Sequence, residues 1–274
     1  MTEMLCKYKL ARQVRFSINP FLPGQTQGFN SFSSEPAGEG LSVFLELTVE
    51  VTGPVEPSTG FIVNVTDIDR HVRQAAVPIF AERIQNDYSQ SKHIGLPVIV
   101  ELLRITWNRL TDKFGPVNVS KLSLKLNPFR KVTINSKDAK MVYFSEKFEF
   151  AAMHKLWNDD FSEQRNFEVF GKCANPSGHG HNYTLEVTIK IPEDGSGFRI
   201  GDFQNVVDDE LIKIVDHKNL NIDVENFKTT IPTVENIAGF AWSKLAGKFG
   251  KSQLHCVTIW ETDKTYCSYM ETPE

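Results

Sequence analysis

The chain has 274 residues, of which 41% are hydrophobic and 23% are charged, and it carries a net charge of −4. A length near two typical domains and an ordinary composition predict a folded two-domain protein, and the charge balance provides no overall positive field for nucleic acid or an anionic membrane. Residues 1–14 have no apolar signal region, no stretch is apolar enough to span a membrane, and the four cysteines form no C-x-x-C pair, so we expect a cytoplasmic protein.

An internal repeat relates the two halves of the chain. The alternating segment LELTV recurs as LEVTI 140 positions later, and two further pairs of segments recur at offsets of 134 and 135. The pairs are residues 45–49 and 185–189, 14–17 and 148–151, and 107–115 and 242–250. Because the matches keep their order along the chain, we expect two copies of one fold.

Each copy is predicted to contain a strand pair, a helix, a short second helix and two closing strands. Apolar runs flank the turns at residues 56–61 and 193–198 and predict a hairpin at each turn. In the second copy the predicted helices are residues 202–215 and 234–249, with Thr233 as an N-cap, and residues 254–260 form a strand. Helices that follow strand pairs predict an α+β fold, an antiparallel sheet with helices packed on one face.

The boundary between the copies is predicted near residues 129–138, where Pro128 and a polar turn interrupt the apolar pattern. We therefore expect a first domain at residues 1–135 and a second at residues 136–274.

Three histidines of the second copy form the strongest candidate metal site. His179 and His181 are two positions apart on a predicted strand, which places both imidazoles on one face, and Gly180 leaves space between them. His154 ends an earlier strand that could pair alongside. Three imidazoles without an evident fourth protein ligand predict an open, catalytic zinc site. The alternative is that these are ordinary surface or core histidines.

The first copy lacks this set of residues. The joint loss favours a functional site kept in one copy over a structural metal needed by both, although simple divergence of the first copy would have the same result. The residues aligned with His154, His179 and His181 are Pro20, Glu39 and Leu41, and those aligned with Glu261 and Glu235 are Leu126 and Val100.

Two further motifs could carry proton transfer. Cys173 lies in a turn-rich loop six residues before His179, where zinc and a nearby cation would lower its pKa and let the thiol act as a base. Asp216 and His217 are adjacent in a polar loop after a helix, a pair suited to proton relay. The alternatives are a passive loop cysteine and a helix C-terminus stabilised by His217 and Lys218.

A carboxylate at a strand end is the candidate for binding a ring. Glu261 follows the last apolar strand beside an aromatic residue, and a carboxylate there can accept two N–H bonds from the edge of an amino-pyrimidinone. The alternative is a strand-end glutamate that faces water.

Five ordered motifs occur within residues 143–270, which are FAAMH ending at His154, CANPSGHGHNY from Cys173, DHKNL from Asp216, PTVEN around Thr233, and ETD from Glu261. Through these motifs the segment closely resembles the 6-pyruvoyl-tetrahydropterin synthase family. The first half resembles the same fold through residues 59–67 but has none of the catalytic motifs. The resemblance implies a tunnelling fold, in which subunits join their sheets into barrels with the helices outside.

The resemblance also implies a reaction and a role for each residue. Members of this family remove triphosphate from 7,8-dihydroneopterin triphosphate and rearrange its side chain into a pyruvoyl group. By the resemblance, the three histidines hold Zn²⁺, Cys173 takes a proton, and Asp216 with His217 reloads that base. Glu261 holds the pterin ring, and Thr233 and Glu235 help to line the pocket.

Two alternatives stay open at this stage. The 6-carboxytetrahydropterin synthase of the queuosine pathway is similar in fold, zinc and substrate but releases acetaldehyde, and its spacer between cysteine and H-G-H is usually shorter than the five residues found here. The other alternative is a pterin-binding protein with little turnover. The expected partners are a pterin triphosphate and further copies of the chain, in a trimer or hexamer of stacked barrels.

Overall fold

The computed structural model describes residues 8–21, 41–193, 195 and 197–270, which divide into two compact units. Unit 1 comprises the described residues up to Phe144 together with the short segment 192–195, and unit 2 comprises residues 145–191 and those from Gly197 onward. No helix of the described residues is long and apolar enough to cross a membrane.

Unit 1 contains four antiparallel strands and three helices. Its elements are β1 (Tyr8–Ile18), β2 (Val43–Gly53), α1 (Val65–Ala75), α2 (Val77–Ser89), α3 (Leu96–Leu110), β3 (Asn118–Lys125) and β4 (Arg130–Asn135). The strands are ordered β1-β2-β3-β4. Alternate residues of β2, such as Leu47 and Val49, are buried, and Phe80 of α2 packs edge-on against Phe16 of β1. The opposite sheet face is polar, as in the ion pair of Glu50 with Lys121.

Unit 2 repeats this plan with more irregular connections. Its elements are β5 (Met141–His154), α4 (Glu163–Phe170), β6 (His179–Pro192), α5 (Ile200–Val207), α6 (Lys213–Val215), β7 (Lys218–Asn219), α7 (Leu220–Asp223), α8 (Val234–Leu245), β8 (Gln253–Thr262) and β9 (Thr265–Met270), of which the first four residues of β5 and the last residue of β6 belong to unit 1. The strand order is β5-β6-β8-β9, and the two-residue strand β7 runs parallel to β5. Residues Gly171–Ala174 and Glu225–Lys228 form 3-10 helices, and Asp208–Ile212 forms a π-helical turn.

The predicted α+β class, an antiparallel sheet with helices, is confirmed. The predicted strand at residues 254–260 lies within β8, and Thr233 is the N-cap of α8, since its side chain accepts a hydrogen bond from the Asn236 N–H. The helix predicted at 234–249 ends at Leu245, because Ala246 leaves helical geometry and Gly247 has a φ of 76°. The helix predicted at 202–215 is interrupted by the π-helical turn.

The hairpins predicted at two turns are not formed. The turns at 56–61 and 193–198 lead into helices rather than hairpins; after the first, Asn64 caps α1 by accepting from the Thr66 N–H. Residues 130–135 form β4, and the polar turn of the predicted boundary region follows directly, where Asn135 accepts from the N–H groups of Lys137 and Asp138.

A β-bulge lies at the same place in both units. The register shifts after Glu50, opposite Lys121, in unit 1 and after Thr188, opposite Cys256, in unit 2. Aligning the bulges relates β2 to β6 by 138 positions and β3 to β8 by 135. The sequence offset of 140 for β2 and β6 is therefore wrong by two, because an alternating pattern matches itself at every second residue.

Candidate metal centre

The structure brings His154, His179 and His181 together. His154 ends β5 and His179 begins the neighbouring strand β6, so the three side chains meet at one edge of the sheet. The ring centroids are 4.6 Å apart for His154 and His179, 5.2 Å for His154 and His181, and 4.8 Å for His179 and His181. One ring nitrogen from each lies within 4.8 Å of the others.

A backbone carbonyl orients the most buried of these rings. His154 is 1% exposed, and its Nδ1 lies 2.7 Å from the carbonyl oxygen of Pro232, which can only accept, so Nδ1 donates. The lone pair of the neutral ring is then on Nε2, 3.1 Å from His179 Nε2. Burial lowers the pKa of both His154 and His179, which favours the neutral form that binds a metal.

The nitrogens fit a divalent cation. His181 Nε2 and His179 Nδ1 are buried and have no hydrogen-bond partner in the part of the chain that the structure describes. Burying an unpaired polar atom is costly, and a metal ion among the three rings would satisfy His181 Nε2. Three imidazoles provide the nitrogen ligands that transition metals bind and leave a coordination position for another molecule.

Glu261 lies against the histidines. Its Oε1 is 3.5 Å from His154 Nε2 and 3.7 Å from His181 Nε2, distances at which charge acts although no hydrogen bond forms. Glu261 is next to the end of β8, which pairs with β6, so the carboxylate reaches the same edge of the sheet. The interpretation of Glu261 as facing only water is therefore wrong.

Cys173 lies in the 3-10 helix Gly171–Ala174 and is half-buried rather than in the exposed loop expected from sequence. Its carbonyl accepts a hydrogen bond of 2.9 Å from the Leu156 N–H, which fixes the helix beside the end of β5. Burial raises the pKa of the thiol, and the negative charge of Glu261 raises it further. The chain alone therefore favours the neutral thiol, and the expected lowering of this pKa depends on a bound cation.

Asp216 and His217 form a pair at the other side of β5. Asp216 Oδ1 accepts from the Ala151 N–H at 2.9 Å, and Oδ2 lies 2.9 Å from His217 Nδ1. The Ala151 N–H is the main cause that lowers the pKa of Asp216. The His217 side chain is 82% exposed, while the backbone N–H of His217 donates to the Ala151 carbonyl. The two side chains do face each other, and the imidazole points to solvent.

Thr233 and Glu235 contact other parts of unit 2. The Thr233 hydroxyl caps α8, and Glu235 is exposed in the first turn of that helix. Glu235 is close enough to Cys267 on β9 for its charge to contribute to the raised pKa of that thiol. The predicted contribution of these two side chains to a substrate pocket stays a prediction.

Sequence reasoning missed three residues that hold the site in place. Pro232 provides the carbonyl for His154, and Asn221 bonds both the N–H and the carbonyl of Lys155, the next residue along. Gly178 has a φ of 68°, and a Cβ there would lie 2.9 Å from the His154 carbonyl oxygen. The glycine-rich run indicated that Gly178 is important. For Pro232 and Asn221 nothing in the sequence indicated their roles, although Pro232 lies in the PTVEN motif and Asn221 follows the DHKNL motif.

The sequence suggested that Gly180 leaves space between the two imidazoles, but the structure shows that it does not lie between them. A Cβ at Gly180 would lie 3.5 Å from the Ala152 carbonyl oxygen and 3.8 Å from the Met153 Cβ, so the residue faces β5. Since side chains alternate along a strand, the position between two residues of one face points to the other face.

A polar cleft of about 600 Å³ opens beside His154. Lys155 and Lys228 line it, but so do Asp159 and Asp160, so its formal charge balances. Lys228 is also paired with Glu225. A polyanionic substrate requires a local basic pocket, and this cleft alone does not provide one.

Comparisons with known proteins match unit 2. The sequence profile of the family described as 6-pyruvoyl tetrahydropterin synthase matches residues 143–272. A relative from Drosophila melanogaster named 6-pyruvoyl tetrahydrobiopterin synthase is 38% identical over 133 residues, which are 47% of this chain and 79% of the relative. A 6-carboxy-5,6,7,8-tetrahydropterin synthase from Aquifex aeolicus is 28% identical over 159 residues, covering 46% of this chain and 96% of the relative. The solved Caenorhabditis elegans 6-pyruvoyl tetrahydropterin synthase is 34% identical with a TM-score of 0.44, covering 48% of this chain and 96% of that one.

Proposed function

The chain belongs to the 6-pyruvoyl tetrahydropterin synthase family, and from that membership we propose that it is a zinc-dependent lyase. It converts 7,8-dihydroneopterin triphosphate into 6-pyruvoyl-tetrahydropterin and releases triphosphate. The observation that carries the proposal is the convergence of three imidazoles on one point, with a buried His181 nitrogen that has no hydrogen bond among the described residues.

His154, His179 and His181 hold the zinc ion in this proposal. When bound, zinc polarises the side-chain hydroxyls of the substrate and acidifies the neighbouring C–H bonds. The hydrogen bond from His154 to Pro232 supports this assignment, because it turns Nε2 toward the other two rings.

Cys173 is the proposed base that takes the proton from the substrate side chain. The pKa of the Cys173 thiol is raised in the metal-free chain. A nearby positive charge must therefore lower this pKa before the thiolate is available as a base. Asp216 and His217 tune and reload that base, and their hydrogen bonds to Ala151 fix their positions beside β5. The solvent-facing His217 ring fits a role at a site completed by a second copy of the chain.

Glu261 is proposed to bind the pterin ring, with Thr233 and Glu235 lining the pocket. The carboxylate lies beside the imidazoles, so a ring held by it would place its side chain close to the metal. Unit 1 would contribute interfaces in a cytoplasmic homo-oligomer, a trimer or hexamer of barrels, rather than chemistry.

The products separate this function from its alternatives. Zinc-loaded chain incubated with 7,8-dihydroneopterin triphosphate is expected to release triphosphate without acetaldehyde. Acetaldehyde would indicate the 6-carboxytetrahydropterin reaction, which the weaker similarity to the Aquifex relative keeps as the second candidate. Release of neither product by zinc-loaded protein would refute both and leave a pterin-binding role, which direct binding of the substrate would then test.

Two cysteine variants test the base. Cys173→Ala is expected to lower turnover by about 10²–10⁴-fold with zinc content and KM nearly unchanged, since a proton-transfer group is lost but no ligand. Cys256→Ala is the matched control, a half-buried thiol on β8, and should retain turnover. Equal loss in both variants, or none in Cys173→Ala, would contradict the assignment.

A further inference from the structure

Unit 1 contains an apolar cavity of about 580 Å³ that lies between its sheet and its helices. The walls come from β2, α2, α3 and the end of β3, and they include core residues such as Phe80, Leu102 and Leu124, which are at most 3% exposed. Cavities of this volume with mostly apolar walls are typical of sites for small molecules.

The cavity overlaps the place in unit 1 that corresponds to part of the candidate metal centre of unit 2. With the two bulges aligned, Val43 corresponds to His181, Leu45 to Tyr183, and Leu126 to Glu261. All three of these unit 1 residues line the cavity. The position of the site is therefore retained in unit 1, while aliphatic side chains replace the imidazole, the phenol and the carboxylate.

Apart from Tyr88, the polar residues that line the cavity are consecutive. Ser91, Lys92 and His93 lie in the turn that follows α2, and both Lys92 and His93 are exposed. Within the described part of the chain, the Lys92 ammonium takes part in no ion pair, and the nearby carboxylate of Asp87 is occupied by Arg83 at 2.7 Å. The cavity thus has apolar walls and one cationic end.

We propose that this cavity binds a medium-chain aliphatic carboxylate. The chain of the ligand lies against the walls from Leu45 to Leu126, and its carboxylate meets Lys92 and His93. Burial of apolar surface provides most of the affinity, at roughly 25 cal/mol for each Å² removed from water, and the ammonium selects the anion. The site is independent of the metal centre and of the proposed reaction.

Titration calorimetry of the full chain with decanoate, below the concentration at which decanoate forms micelles, tests the proposal. We expect one saturable site per chain, tighter binding of decanoate than of decanol, and unchanged binding in His179→Ala. Absence of a saturable site, or loss of the site in His179→Ala, would overturn the proposal, because the second result would place the carboxylate on the metal.

Two variants locate the ligand. Leu126→Glu introduces the acidic residue found at this position in unit 2 and is expected to weaken decanoate binding more than tenfold, whereas Ile222→Glu, a comparable exchange at a residue of unit 2 that is 67% exposed, should not. Lys92→Glu changes only an exposed side chain and should weaken decanoate severalfold but not decanol, with Lys113→Glu as its control. Unaltered binding in Lys92→Glu, or in a folded Leu126→Glu, would contradict the assignment.

Discussion

Replacing His181 with alanine should remove most of the stabilisation that the proposed zinc ion would give to unit 2. In the metal-free chain the exchange is mild, because the ring is one-fifth exposed and its Nε2 has no hydrogen bond within the described residues. We therefore expect the free energy of unfolding without metal to fall by about 1 kcal/mol or less.

The size of the zinc effect follows from mass action. Free zinc at about 1,000 times its dissociation constant stabilises the folded state by roughly 4 kcal/mol, which raises the Tm of a unit of this size by about 12 °C. Loss of a residue that only orients a ligand already costs about 10–100-fold in affinity, so loss of one of three ligands should cost at least about 100-fold. That is roughly 2.7 kcal/mol, and at the same zinc concentration the rise in Tm should shrink to about 4 °C.

Thermal unfolding with zinc and with a chelator measures both values. His255→Ala is the matched control, since it removes an imidazole from β8 of the same unit but outside the candidate centre. It should keep the whole zinc-dependent rise in Tm. A full rise in His181→Ala, or an equal reduction in the two variants, would refute the assignment of His181 as a ligand.

Two further predictions concern carboxylates. Glu261→Gln should raise the KM for the pterin substrate about tenfold or more while zinc content stays unchanged, because the amide cannot accept two N–H bonds; loss of zinc in this variant would make Glu261 a ligand instead. For Glu50, burial raises the pKa, but hydrogen bonds from Lys121 and Ser120 outweigh it, and the net pKa is lowered below 4.5. Its contribution to stability is therefore present above about pH 4.5 and is lost as the pH falls through the lower folded pKa. The free energies of unfolding in urea of wild type and Glu50→Gln should therefore differ near neutral pH and converge as the pH is lowered below 4.5. A difference that does not change with pH would contradict this account.

The sequence predicted the parts of the site that depend on local periodicity. His179 and His181 share a face because strand side chains alternate, and Thr233 caps α8 because its hydroxyl reaches an N–H three residues on. Both rules need only neighbouring residues.

The groups that complete the centre depend on contacts between distant segments. The Pro232 carbonyl meets His154 across 78 positions of the chain, and Asn221 meets Lys155 across 66. No spacing rule predicts a backbone carbonyl as a partner, because every residue has one. The pKa of the Cys173 thiol could not be predicted from local sequence either, because it depends on burial and on Glu261, which is far away in sequence.

Comparison of the two units shows which positions can change without loss of the fold. Away from the strand ends, aligned residues of the two units are both apolar, because they fill the interior of each unit. Leu47 and Leu185 are one such pair, and Val49 and Val187 are another. The exchanges that matter for chemistry lie where the strands end, and there a side chain faces a cavity or solvent rather than a packed core. An imidazole in one unit and a valine in the other can therefore occupy equivalent positions on corresponding strands. This difference between the sheet interior and the strand ends explains how one unit can carry the candidate metal centre while the other has an apolar cavity at a corresponding place.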